Sequence, residues 1–410
     1  MGPLHGVRII DMTSVLMGPY ATQILGDYGA DVIKVESPEG DITRQIGPSR
    51  NPDMGPIFLN CNRSKRSIVL DLKQAAGREA LLRLASDADV LIYNVRPQAM
   101  ARLKLGYDDV AAINPRIIYA GLFGFGQDGP YAAKPAYDDL LQGGSGLSHL
   151  IARAADGPPR YVPTALADRV VGLTAVGAIL ASIVHRDRTG KGQRLDVPMF
   201  ETMAGFVLGD HLGGLTFDPP LDQGGYSRQM AKDRRPYATA DGFISVIIYT
   251  DKQWNSFFDA TKRDDLRSDP KFSTFNGRLT NIDHVLAELG RIFMTRPTAE
   301  WLELMVKADI PVMPVHDLIS ILDDPHLKAT DFFQSVEHPT EGTIRSMRPA
   351  ATWSDTPVET PRLAPRRSEH AVEILKEAGY SDDEIAALLR NGVTLAPTAP
   401  APETKKVARG

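Results

Sequence analysis

The sequence predicts an α/β fold, an open and mostly parallel sheet of the doubly wound kind with helices on both faces. Three observations carry that expectation. Short apolar runs of strand length alternate with helical stretches over the first 120 residues. The first two such runs are joined by a helix, the crossover that parallel strands require. The chain has 410 residues, more than one hydrophobic core usually serves, so a second domain is expected.

Each element follows from its residues. Val7 to Asp11 reads as a strand. Pro19 is placed to open a helix, because its fixed φ suits the first turn, and that helix runs through Tyr20 to Asp27 and stops near Gly29. Asp31 to Glu36 is the second strand. Ser67 to Leu72, Val90 to Tyr93 and Arg116 to Ala120 are further strands, with helices at Ala75 to Leu84 and Ala99 to Leu105 between them. From Asp168 to His185 the residues are small and apolar almost throughout, the pattern of a helix buried all round. A turn at 189–193 leads into the strand Arg194 to Val197.

Residues 201–222 read as a linker and 223–330 as a small α+β domain, whose opening segment is polar and rich in Gly and Arg. A hairpin turns at Ala240-Asp241-Gly242, and helices follow around 253–260, 282–294 and 299–307. Residues 331–395 read as a return linker and two helices. The second of these starts after Ser381, where Asp382, Asp383 and Glu384 suit a positive N-terminal end. Residues 396–410, rich in Pro, Ala and Lys, are expected to form a disordered tail.

Bulk composition narrows the function. A net charge of −5 supplies no basic field, so neither nucleic acid nor an anionic membrane is an expected partner. No run of about 18 apolar residues is read, so no membrane span is expected. The N-terminus enters a strand at once, without a signal core or an Arg-rich presequence. The lone cysteine, Cys61, cannot form a disulfide within the chain, which suits a reducing, cytoplasmic setting. It lies between a strand-like run and a basic stretch and reads as a packed side chain rather than a nucleophile.

One motif misleads. Gly124-Phe125-Gly126-Gln127-Asp128-Gly129 matches G-x-G-x-x-G after a strand, but Pro130 and Pro135 prevent a helix from opening on it, so no nicotinamide or flavin is expected. Gly190-Lys191-Gly192 lacks the Ser or Thr of a phosphate loop. The nine histidines form no His-x-x-x-His pattern, so no metal is expected. There is no G-x-S-x-G elbow.

Other motifs gain meaning from their order. Pro3-Leu4-His5-Gly6-Val7-Arg8-Ile9-Ile10-Asp11, Gly18-Pro19, and the run from Leu25 to Glu36 resemble the family III CoA-transferases (CaiB/BaiF), a superfamily that also holds the α-methylacyl-CoA racemases. So do Asn62-Arg63-Ser64-Lys65-Arg66-Ser67-Ile68, Asn114-Pro115-Arg116, Gly124-Phe125-Gly126, Ala136-Tyr137-Asp138, Thr189-Gly190-Lys191-Gly192-Gln193 and Ile310-Pro311. The resemblance runs from residue 3 to about residue 392. It implies a large Rossmann-like domain built from both chain ends (1–200 and 331–395), a small inserted domain, and two chains threaded together as an interlocked homodimer.

The resemblance also implies a nucleophile. In the family it is an aspartate after a Pro-Thr-like stretch, here Pro163-Thr164-Ala165-Leu166-Ala167-Asp168. From its residues alone, Asp168 reads either as a plain helix cap or as a carboxylate kept ionised near neutral pH by the positive helix end. By position in the family pattern, coenzyme A is expected to meet Leu16 and Met17, then Leu70, Asp71, Leu72 and Lys73, then Asn94, Val95, Arg96 and Arg102, and finally Lys134, Pro135, Ala136 and Tyr137. Lys73, Arg96 and Arg102 are the expected phosphate partners. Tyr137, Gly143 and Gly144 are expected near the acyl group, the glycines in a mobile stretch with Gly146 that serves as a lid, a donor of N–H groups or simply a turn.

The implied activity is transfer of CoA from an acyl-CoA, with succinyl-CoA a candidate donor, to a small carboxylic or dicarboxylic acid, with no tightly bound cofactor. A racemase of 2-methylacyl-CoA is the first alternative. It is disfavoured because the racemase motif Gly-His-Asp is here Ala136-Tyr137-Asp138, and an unperturbed tyrosine, with a pKa of about 10, shuttles protons poorly at neutrality. A non-catalytic acyl-CoA-binding protein is the second. Arg228, Lys232, Arg234 and Arg235 are either a solvated linker or the source of one cation that reads a second carboxylate.

Overall fold

The structure, a computed structural model, describes residues 2–358 and 362–397. Most of the segment read as a disordered tail, residues 398–410, lies outside the described residues. The chain divides into two compact units. The first comprises Met1–Ser145, Val162–Gly205 and the chain from Leu327 onward; the second comprises Gly146–Tyr161 and Phe206–His326.

A six-stranded, all-parallel sheet organises the first unit. Its strands are β1 (Arg8–Met12), β2 (Asp31–Glu36), β3 (Lys65–Val69), β4 (Val90–Tyr93), β5 (Ile118–Phe123) and β6 (Gln193–Pro198), in the order β3-β2-β1-β4-β5-β6. The helices along this part of the chain are α1 (Met17–Asp27), α2 (Pro56–Cys61), α3 (Ala75–Ala85), α4 (Pro97–Arg102), α5 (Tyr107–Ala111), α6 (Asp138–Gly144), α7 (Leu147–Ala155), α8 (Leu166–Thr189) and α9 (Met199–His211); α7, and α9 from Phe206 onward, belong to the second unit. The strand order reverses between β1 and β4. In open α/β sheets the crevice at the carboxyl ends of such a pair is where ligands bind.

One sheet face packs Ile10, Ile33, Leu91 and Tyr119 against Leu81 and Leu84 of α3 and against Ile374, Leu375, Ile385 and Leu388 of the helices Ala371–Glu377 and Asp382–Arg390. The last helix is capped as its sequence implies, with Ser381 and Glu384 in a reciprocal capping box. A hairpin, Phe333–His338 with Gly342–Met347, completes the unit.

Some expected boundaries move, each for a local reason. β3 starts two residues early, at Lys65, because two cations lie inside it with partners: Lys65 on Asp11, and Arg66 on Asp31, Glu373 and Glu377. It stops before Leu70, after which the Asp71 carboxylate accepts from Lys73 N–H and the Gln74 amide and folds the chain into a turn. The run before Cys61 is helical, opened by Pro56. Residues from 201 onward, read as linker, begin inside α9, where apolar residues continue to His211 before Leu212-Gly213-Gly214 interrupts them.

α8 departs most from expectation. Its buried stripe is Val171, Gly172, Ala175, Val176, Ile179, Ser182 and Ile183, but Leu173 is 54% and Val184 47% exposed. The helix is buried on one side only. By length and composition it is also long and apolar enough to cross a membrane, contrary to the expectation that no such run exists. Its buried stripe packs within the first unit, with α1 and α6 among its neighbours.

The second unit has an antiparallel sheet of Tyr237–Ala238, Phe243–Val246 and Val312–Pro314, the first two being the expected hairpin. Trp254, Phe257, Phe258, Phe272, Phe293 and Trp301 fill its core from the helices around it, and the Trp301 indole N–H donates to the Phe293 carbonyl at 2.7 Å.

Candidate active site

A cleft of about 290 Å³ opens at the carboxyl ends of β1, β4 and β5, at the reversal of strand order. Ser14, Val15 and Met17 line it after β1, Asn94, Val95 and Arg96 after β4, and Gly124 after β5. Lys134, Pro135, Ala136, Tyr137 and Asp138 enter from the segment before α6, and Asp168 from α8. The topology therefore gathers residues spread over more than 150 positions of sequence.

Asp168 is not the cap of α8 but its third residue; Ala165 occupies the cap position and contributes no side-chain bond. Asp138 does the capping instead. Its Oδ1 accepts the Asp168 N–H at 2.8 Å, and its Oδ2 accepts from the Gln142 amide at 2.6 Å. Gln142, fully buried, also accepts the Val162 N–H at 2.8 Å and donates to the Thr164 carbonyl at 3.3 Å. Asp138 and Gln142, four apart on α6, thus hold the entry to α8 in register.

This arrangement corrects the expectation for the charge of Asp168. Burial, and then the neighbouring Asp138 carboxylate, push Asp168 up to about 7, with Arg169 opposing more weakly. Near neutrality the group sits at its midpoint rather than fully ionised. The helix end that should favour the anion is already engaged by Asp138. Arg169 itself stacks 4.2 Å from the Tyr20 ring and reaches the buried Cys61 sulfur at 3.6 Å.

The expected contact residues divide. Met17, Asn94, Val95, Arg96, Lys134, Pro135, Ala136 and Tyr137 all line the cleft, with Tyr137 69% exposed and Lys134 lying 3.7 Å over the Tyr131 ring. Leu16, Leu70, Asp71, Leu72, Lys73 and Arg102 do not. The Leu70 side chain belongs to the sheet core at 1% exposed, which leaves only its backbone for a ligand. Gly143 and Gly144 form the last turn of α6 rather than a mobile stretch, and of the three glycines Gly146 alone has a positive φ, of 88°. No helix opens on Gly129; the next begins at Asp138.

Reading the sequence missed Asp138 and Gln142 as a pair, and it missed a set of buried charges behind the cleft: Asp11, Lys34, Glu36, Asp41, Arg44 and Lys65. The signal was present. A lysine within Val32-Ile33-Lys34-Val35, on a strand buried on both faces, requires a partner.

In the second unit, Lys232 lies 3.8 Å from Asp156 and Arg235 pairs with Asp233 at 2.9 Å. Arg228 faces a small aromatic-walled pocket with Tyr226, Tyr237, Tyr249, Trp254 and Phe275.

Fold and cleft define a doubly wound α/β protein with a partly buried carboxyl group, Asp168, at its switch point. The comparisons with known proteins make the class specific. The model of CoA-transferase family III matches residues 4–371, and the chain belongs to that family. It is 35% identical to an acyl-CoA transferase of Fusarium pseudograminearum, over 96% of this chain and 88% of the relative. It is 32% identical to the human succinyl-CoA:glutarate CoA-transferase, over 95% and 90%. A solved CAIB/BAIF family protein from Brucella suis superposes with a TM-score of 0.79 at 30% identity, covering 92% of this chain and 99% of the other. Family membership removes the non-catalytic reading: the chain is a family III CoA-transferase.

Proposed function

We propose that this enzyme moves CoA from succinyl-CoA, or a donor of the same kind, to a small dicarboxylate, with Asp168 as the covalent nucleophile. The observation that carries the reading is the Asp168 carboxyl group at the start of α8, facing a switch-point cleft lined by the residues expected to hold the thioester. The Asp168 carboxylate attacks the acyl carbon and expels CoA thiolate, leaving a mixed anhydride. The thiolate attacks the aspartyl carbonyl, releasing the donor acid and leaving an aspartyl-CoA thioester. The acceptor carboxylate attacks that carbonyl, again expelling thiolate, which takes the acceptor's acyl carbon and frees Asp168. Each step exchanges one activated acyl bond for another, so the sequence is balanced without an outside energy source.

The nucleotide end of CoA is assigned to the carboxyl ends of β2 and β3, at Asp71, Leu72 and Lys73. Strands lie about 4.8 Å apart, so a ligand lengthened by its pantetheine arm spans from there to the cleft. The dicarboxylate preference rests on the human relative named for succinyl-CoA and glutarate. Two copies are proposed to form a homodimer, and a reducing cytoplasmic setting suits the buried, unpaired Cys61.

The test is chemical. Incubation with succinyl-CoA followed by hydroxylamine or borohydride should modify Asp168, and Asp168→Asn should lose exchange by several orders of magnitude while staying folded. An Asp168→Asn enzyme that transfers CoA at the normal rate removes the proposal. One feature favours a racemase: burial and Asp138 push Asp168 up to about 7, a range matched to proton transfer at neutrality. Rapid α-deuteration of a chiral 2-methylacyl-CoA in heavy water would establish that reading instead.

A further inference from the structure

Ser14, Val15 and Met17 form one wall of the cleft. Val15 has a φ of 71°, in the left-handed region, where a β-branched side chain is strained. The surroundings show what holds it there. Asp41 Oδ1 accepts the Val15 N–H at 3.3 Å, and its Oδ2 accepts Lys34 Nζ at 2.9 Å. The same ammonium donates to the Thr13 carbonyl at 2.9 Å. The Lys34 and Asp41 side chains are 0% and 1% exposed.

Asp41 is in turn anchored. Its own N–H donates to Glu36, its Oδ1 accepts from Thr43 N–H and Oγ1, and Glu36 is gripped by Arg44. On the other side of the loop, Asn94 brackets Ser14, accepting its N–H at 3.1 Å and donating to its carbonyl at 2.8 Å. The loop closes on Gly18, where a Cβ would lie 2.3 Å from that of Thr13. It then delivers the Met17 carbonyl against Gly172, one turn beyond Asp168 on α8.

A buried ion pair is weak support for stability, because desolvation offsets most of its attraction, and a strained valine opposes folding. What the two share is a loop held in one shape where it meets both the cleft and the helix that carries the nucleophile. We propose that Lys34 and Asp41 are positioning residues for the transfer reaction: they lock Val15 in its left-handed conformation and keep the Ser14–Met17 wall preformed for acyl-CoA. The inference rests on the assignment of the cleft to acyl-CoA.

Two variants test it, Asp41→Ala and the charge-neutral Lys34→Met/Asp41→Ala, which leaves no unpaired ammonium if the single change fails to fold. Each is made with and without Val15→Gly and assayed with succinyl-CoA and glutarate, with circular dichroism to establish folding. Without the lock the loop must be reordered by the substrate, so KM for succinyl-CoA should rise about tenfold or more. Glycine adopts a positive φ freely, so adding Val15→Gly should return KM to within about threefold of the Val15→Gly enzyme alone. A purely structural pair would give neither the KM effect nor its suppression by glycine. A folded Lys34→Met/Asp41→Ala enzyme with unchanged KM overturns the proposal, as does a Val15→Gly addition that raises Tm but not affinity. Turnover by the wild-type enzyme with no adduct on Asp168 is a different result; it removes the cleft assignment itself.

Discussion

At the scale of single residues, Asp168 and Asp138 form a pair of carboxyl groups that share the start of α8. In the proposed mechanism the ionised Asp168 attacks the thioester, so kcat/KM should rise with pH and level off above about 7. Asp138→Asn keeps an oxygen for the Asp168 N–H but removes the repelling charge, so the inflection should move to lower pH. An inflection fixed near 7 would separate the two groups. Stability runs the opposite way. Between about pH 4 and 7 the folded chain keeps a proton on Asp168 that the unfolded chain releases, so stability is lost as pH rises through this window. The shift from 3.8 to about 7 corresponds to a cost on the order of 4 kcal/mol. Asp168→Asn should therefore be the more stable protein at pH 8 and equal to wild type near pH 4, as thermal melts at the two pH values can measure. The position of Asp168 was legible in the sequence, because the Pro-Thr stretch and the small-residue helix lie beside it. Its protonation was not, because it is set first by burial and then by a charge from 30 residues upstream, and only folding supplies either.

Elements were legible wherever apolar periodicity decided them. β2 and β4 fall where their residues imply, and the hairpin and helices of the second unit do so within a few positions. Boundaries slipped where a tertiary partner overrode composition. The charged start of β3 looks like loop until Asp11 and Asp31 supply counterions, and the apolar stretch read as linker is α9. The crossing of α1 and α8 is a further case, since small residues in α8 imply close packing without saying against what. A Cβ at Gly172 would stand 2.8 Å from the Met17 carbonyl and 3.1 Å from the Tyr20 ring. Backbone cannot yield as a side-chain tip does, so Gly172→Ala should push the two helices apart. Overpacking of this kind costs about 1–3 kcal/mol. The variant should melt at a lower temperature and lose activity beyond what the melting loss explains, because the displaced turn carries the cleft wall. An alanine variant with wild-type Tm and rate would show that the crossing has slack.

For the whole molecule, α8 raises a question that one chain does not answer. Leu173, Gly177, Ala181 and Val184 follow one another at helical spacing along the side opposite the buried stripe, and all four are exposed. A helix with two apolar faces and only one of them covered is poorly suited to water. In the second unit Leu318 is 88% and Ile319 73% exposed, a further apolar surface without cover among the described residues. Small residues at 177 and 181 admit another backbone closely, and a second copy of the chain supplies a matching surface by symmetry. Light scattering on the purified enzyme should give twice the chain mass of 44.8 kDa at micromolar concentration. Leu173→Lys/Val184→Lys should shift the mass toward a single chain, because two charges buried in such a contact face a desolvation cost that nothing repays. A wild-type protein that sediments as a monomer, or a double-lysine variant that keeps the doubled mass, would mean that this face of α8 meets solvent in the working enzyme.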